Sequence, residues 1–121
     1  MSLYNINDVE LDIDMEDYEF QKKYEEAFEK VEEEEKLLQK IGKNSEITKG
    51  YCEIFYHLFD NLFGEGTGKA LFKGKYNIRL VDETYTEFIE ICSKQAKESR
   101  ERRYAAINKF KPKSNKYRRV K

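Results

Sequence analysis

Apolar side chains first fall at alternate positions. Tyr4 and Ile6 precede Asn7-Asp8, and Val9, Leu11 and Ile13 follow at a spacing of two. That is the period of a half-buried strand. Two short runs joined by Asn-Asp predict a small β-hairpin within residues 1–14, or at least one extended strand over 9–13. The period then lengthens. Phe20, Tyr24, Ala27, Phe28, Val31 and Leu38 share one stripe of a helix expected over 15–41, with Asp14 as N-cap and Gly42 at its end. A second helix is expected over 46–63, capped by Asn44 or Ser45. It carries Ile47, Tyr51, Ile54, Phe55, Leu58, Phe59 and Leu62 on a wide apolar arc, which predicts a central position. Ile78, Val81, Tyr85, Phe88, Ile89 and Cys92 mark a third long helix over 77–110, capped by Asn77. Beyond Cys92 this stripe weakens to Ala96, Ser99 and Arg103, so that end is expected to bury little. Pro112 stops the helix, and 111–121 read as a disordered basic tail. The expected fold is mainly α: one helical domain over 1–110, three long helices, a short N-terminal β-hairpin or strand, and the basic C-terminal tail.

Composition sharpens this in two places. Charged residues make up 39% of the chain, but nine Tyr and eight Phe supply a core that a disordered chain lacks. Net charge is only −1, yet it is unevenly spread. Residues 1–60 hold 17 acidic and 7 basic side chains, a net of −10, and residues 61–121 hold 7 and 16, a net of +9. Such a dipolar chain can pair its halves head to tail, within one molecule or between copies. Cys52 and Cys92 stand forty positions apart with no CxxC, and one histidine cannot complete a zinc set. Two reduced, half-buried thiols in a cytoplasmic protein are expected. The acidic N-terminus lacks the apolar core of a signal peptide, and no run approaches a membrane span.

The stretch 63–72, FGEGTGKALF, raises the question of a phosphate loop. A phosphate loop needs G-x-x-x-x-G-K-[ST] between a strand and a helix. Here three residues, not four, separate Gly64 from Gly68, Ala70 stands where a hydroxyl should ligate magnesium, and the preceding segment is helical. The structural reading of 64–76 is an elbow: Gly64 as a left-handed helix terminus, Gly66 and Gly68 reversing the chain, then one short helical turn over 69–74. His57 falls opposite the apolar arc of its helix, where a solvated side chain is expected, and local spacing puts no nucleophile beside it. No catalytic residue, cofactor or metal site is predicted, and the chain is not expected to be an enzyme.

The helix–FGEGTGKALFKGKYN–helix segment, preceded by a short strand and an acidic helix, resembles small proteins encoded among the tail genes of phages and prophages of Gram-positive bacteria. The likeness is greatest to the tail-assembly-chaperone-like members, and covers most of residues 3–92. It implies a non-enzymatic protein that binds the tape-measure protein, or a tail-tube subunit, during tail assembly. A homo-oligomer is a further expectation. The resemblance does not explain the basic end. Exposed loops and charged arms often carry contacts. The candidate partner-binding residues are therefore Glu65 and Lys69 of the elbow and Arg100, Arg102, Arg103, Lys109, Lys111, Arg118 and Arg119 beyond it. The alternative is a nucleic-acid-binding module. Residues 94–121 hold 12 Lys/Arg against 2 Glu, with Tyr104, Phe110 and Tyr117 interleaved as stacking groups. The acidic first half weighs against that alternative.

Overall fold

The computed structural model describes residues 2–38 and 42–110. The chain forms strands β1 (Leu3–Ile6) and β2 (Val9–Asp12), then helices α1 (Tyr18–Leu38), α2 (Asn44–Phe63), α3 (Thr67–Phe72) and α4 (Ile78–Phe110). The fold is mainly α with an N-terminal hairpin, as the patterning predicts. The expected tail over 111–121 lies outside the described residues.

The hairpin is antiparallel, with Ile6 opposite Val9 and Tyr4 opposite Leu11. Asn7 and Asp8 both take positive φ, 52° and 66°. A two-residue turn of that kind matches the right-handed twist of its strands, and Asn and Asp tolerate it better than most residues. Ile6, Leu11 and Ile13 are buried on one face. A lone hairpin is marginal in water. This one is bonded along α4 at both ends. At the tip, Asn7 Nδ2 donates to the Leu71 carbonyl at 3.0 Å and to Thr84 Oγ1 at 2.8 Å. At the base, Gln95 Oε1 accepts the Met15 N–H at 2.8 Å, and Gln95 Nε2 donates to the Ile13 carbonyl at 2.7 Å and to Tyr4 Oη at 3.0 Å.

Helix α1 starts at Tyr18, later than expected. Asp14 closes a local turn, its Oδ1 accepting the Glu16 N–H at 3.0 Å. Asp17 is the N-cap, its Oδ2 accepting the Phe20 N–H at 3.1 Å. Helix α2 starts at Asn44, earlier than expected. Neither Asn44 nor Ser45 caps it, because extended Lys43 is the flanking residue and its carbonyl takes the Ile47 N–H at 2.9 Å. Asn77 does cap α4, through a 3.0 Å bond from the Leu80 N–H.

Three helices enclose the core. Phe20 meets Phe63 at 5.9 Å between ring centroids, and Glu34 meets His57, so α1 runs antiparallel to α2. Tyr51 bonds Asp82, Phe55 meets Tyr85 at 4.9 Å, and Phe59 meets Phe88 at 5.2 Å, so α2 and α4 run parallel. Parallel helices need a return path, and the elbow with α3 supplies it. Tyr56 packs on Phe72 and Tyr76, and its hydroxyl donates to the Lys75 carbonyl at 2.7 Å. Phe63 and Phe72 flank the elbow, and each packs against Phe59, at 6.3 and 5.8 Å.

The glycines make the return possible, by a different geometry from the one expected. Gly64 has φ 116° and ψ 154°, outside the left-handed helical region and open essentially to glycine alone. Gly66 is left-handed, at φ 92°. Gly68 is helical, but a Cβ there would lie 2.7 Å from both the Cα and the carbonyl oxygen of Tyr56. The helical turn consequently begins at Thr67 rather than at residue 69. Gly68→Ala is expected to cost about 1–3 kcal/mol, because backbone rather than a flexible side chain must move. Gly42→Ala meets no atom within 4 Å and should stay within about 0.5 kcal/mol of the parent. Urea midpoints of the two variants check this; equal losses would contradict a tight α3–α2 approach.

Candidate interaction surfaces

Several of the elbow's amide groups bond within the chain. The Gly68 N–H donates to Asp60 Oδ1 at 2.8 Å, so a carboxylate of the chain occupies the position an anion would take. The Thr67 N–H goes to the Gly64 carbonyl, and the Ala70 N–H to that of Gly66. Glu65 and Lys69 are both exposed. Glu65 borders a shallow depression of about 460 Å³ shared with Lys30, Glu34, His57, Asp60 and Asn61. His57 is exposed as expected, but it is partnered: its Nδ1 lies 2.7 Å from Glu34 Oε1.

The basic candidates differ in where the fold places them. Arg102 forms an ion pair with Glu16, just after the hairpin. Arg103 Nη1 donates to Ser99 Oγ at 2.7 Å, and Ser99 is only 3% exposed. The stripe beyond Cys92 therefore buries more than expected, because the hairpin base lies over it and supplies polar partners. Arg100 and Lys109 are exposed on α4. Lys111, Arg118 and Arg119 lie outside the described residues. Glu65 belongs to the α1–α2 side, so the elbow and the basic end of α4 are two separate surfaces.

Sequence reasoning missed Gln95, Ser99 and the cross-chain role of Asn7. Asn7 carried a turn signal only, and nothing local marked Gln95, whose three partners come from residues 4–15.

Chemistry inside the bundle is muted. Cys52 and Cys92 are free and buried, more deeply than expected. Burial raises both thiols from their ordinary 9.0, Cys92 to about 12. Burial likewise raises the Tyr24 hydroxyl, to about 12. Tyr51 is raised by burial and by its 2.7 Å bond to Asp82. Among the described residues, no group of three or more His, Cys, Asp or Glu is placed to hold a metal ion. No helix among them is long and apolar enough to cross a membrane.

These features define a class: a small helical bundle clasped by an N-terminal hairpin. The chain belongs to a protein family of unknown function, DUF6673, which it matches over residues 7–121. No curated protein matches it, and no solved structure does.

Two outcomes are expected. A thiol reagent at about pH 8 should label neither cysteine in the native chain and both after unfolding, since only the thiolate reacts. The raised thiol and phenol values also set a sign. These groups stay protonated in the folded chain after the unfolded chain has lost its protons. Their stability contribution is therefore complete below the ordinary values of 9.0 and 10.0, and falls as pH rises through that range toward about 12. Urea titrations at a series of alkaline pH values check this. Separately, Lys69→Ala should leave stability unchanged, and calorimetry with magnesium-ATP should give no saturable heat that depends on Lys69.

Proposed function

We propose that the chain is a non-enzymatic interaction protein of a phage or prophage tail gene cluster, acting as a tail-assembly chaperone, with the outer end of α4 as its binding arm. The observation that supports this is a helix that outruns its core. Every residue from Arg100 to Lys109 is exposed, over a length of roughly 15 Å. Tyr104 is 70% and Ile107 63% exposed, among arginines. Apolar side chains held out on a helix whose root is fixed suit a partner's groove, and the neighbouring cations suit an acidic rim. The root is fixed by Gln95 and the Arg102–Glu16 pair. The partner on this reading is a tape-measure or tail-tube protein, met in the cytoplasm of the host.

A second reading draws on the same arm. Tyr104 stands four residues after Arg100 and one after Arg103, an arrangement that offers both stacking and charge to a single-stranded nucleic acid.

The test must respect the clasp. Removing residues 94–121 also removes Gln95, Ser99 and Arg102, and is expected to loosen the hairpin. A chain ending at Arg103 keeps all three. It should melt within about 0.5 kcal/mol of the intact chain. Co-expressed with the proteins encoded on either side of its gene, it should lose the partner that the intact chain co-purifies. Equal capture by both would overturn the arm. Oligonucleotide binding that weakens by around a thousandfold between 50 and 200 mM salt, and disappears with the truncation, would favour nucleic acid instead.

A further inference from the structure

The outer face of α4, turned away from the hairpin and the other helices, changes sign along its length. At about 100° per residue, Glu83, Thr86, Glu87, Glu90, Ser93, Lys94, Lys97, Arg100 and Tyr104 fall on this side. All nine are exposed. The first half is acidic: with Asp82, the carboxylates of Glu83, Glu87 and Glu90 line an open trough of about 450 Å³ whose only other lining residue is Thr86. The second half is basic, through Lys94, Lys97 and Arg100. Among the described residues, none of Glu83, Glu87, Glu90, Lys97 and Arg100 closes an ion pair with another side chain.

This arrangement is self-complementary. We propose that α4 pairs antiparallel with α4 of a second copy, through this face, about a two-fold axis passing between Ser93 and Lys94. Positions equidistant from that midpoint then face each other. Glu90 lies opposite Lys97, Glu87 opposite Arg100, and Glu83 opposite Tyr104. The residues of contrary sign do not clash: Glu101 falls opposite Thr86, and Arg79 opposite Asn108. Each contact occurs twice, as an isologous dimer requires. A parallel pairing would set carboxylate against carboxylate along one half and cation against cation along the other. The face is polar, so the attraction is mostly electrostatic. Exposed ion pairs are individually weak, and two pairs, each made twice, with few apolar contacts make a dimer that salt dissolves.

Sedimentation at low ionic strength, over a range of concentrations, tests the pairing. The intact chain should double in mass, and should return to monomer in 1 M salt, where screening acts within about 3 Å. E87K/E90K should be monomeric, and so should K97E/R100E. The fourfold variant E87K/E90K/K97E/R100E inverts both halves and should regain the dimer. Circular dichroism of each variant confirms that it folds. Crosslinking supplies an independent measure, because both native thiols are buried. Ser93→Cys stands beside the axis and should form a disulfide-linked dimer on mild oxidation. Thr86→Cys lies well away from its own symmetry mate and should not. A parent chain that stays monomeric at low salt, a fourfold variant that fails to regain the dimer, or equal crosslinking at both positions would each overturn the proposal. Of these variants, E87K/E90K changes no residue of the arm, which begins at Arg100, and is the one to compare for partner capture. A parent chain that stays monomeric at low salt while still capturing its partner would therefore count against the pairing alone.

Discussion

A single absent side chain sets the geometry of the bundle. Gly68 brings α3 so close to α2 that a methyl group would sit 2.7 Å from the Tyr56 backbone. That approach lets the chain double back beside α2 and lets Tyr56 reach Phe72, Tyr76 and the Lys75 carbonyl. Only then can α4 begin beside the first half of α2 and run parallel to it. The ladder of Phe55 with Tyr85 and Phe59 with Phe88 depends on that starting point. Asp60 secures the approach by accepting the Gly68 N–H. The residues that most resemble a nucleotide site thus serve a structural purpose, and for a physical reason: the feature that admits a phosphate, backbone amides unobstructed by side chains, also admits a neighbouring helix.

The hairpin depends on polar contacts that complement the apolar core. Its inward face buries Ile6, Leu11 and Ile13, but its position along α4 is specified by Asn7 at one end and Gln95 at the other. Eleven residues of α4 separate Thr84 from Gln95, roughly 16 Å of helix, close to the length of a strand of four or five residues. Each amide meets several partners at once, so sliding the hairpin by one residue would strand half-buried donors and acceptors at both ends. Apolar packing alone would tolerate such a slip more readily. The clasp also fixes the root of α4, which makes the exposed end beyond Arg103 an extension of a rigid element. A partner docking on that end would cost it little conformational freedom.

Much of this architecture was legible in the residues. Alternation at 4–13, the Asn-Asp turn and the stripes on the three long helices follow from local geometry, because a period of two or of 3.6 can bury one face only in a strand or a helix. The core is therefore close to the apolar set that the patterning names, including Phe55, Leu58, Val81 and Phe88. The opposing charges of the two halves are likewise a property of the sequence. So is the basic character of Arg100, Arg102 and Arg103, although not the use each is put to.

Tertiary structure decided the rest. Asp17 rather than Asp14 begins α1, because a turn after the hairpin uses Asp14 first. The parallel run of α2 and α4 needed a contact between residues twelve apart, Tyr56 and Gly68, that no periodicity announces. Gln95 and Arg102 look like ordinary surface residues of a charged helix, and they acquire these partners only because the first sixteen residues fold back across them. Local pattern determines which face of an element is apolar, since that depends on neighbours a few positions away. Which polar side chain ends up beneath another element depends on groups 80 or more positions distant, and only the folded chain brings those together.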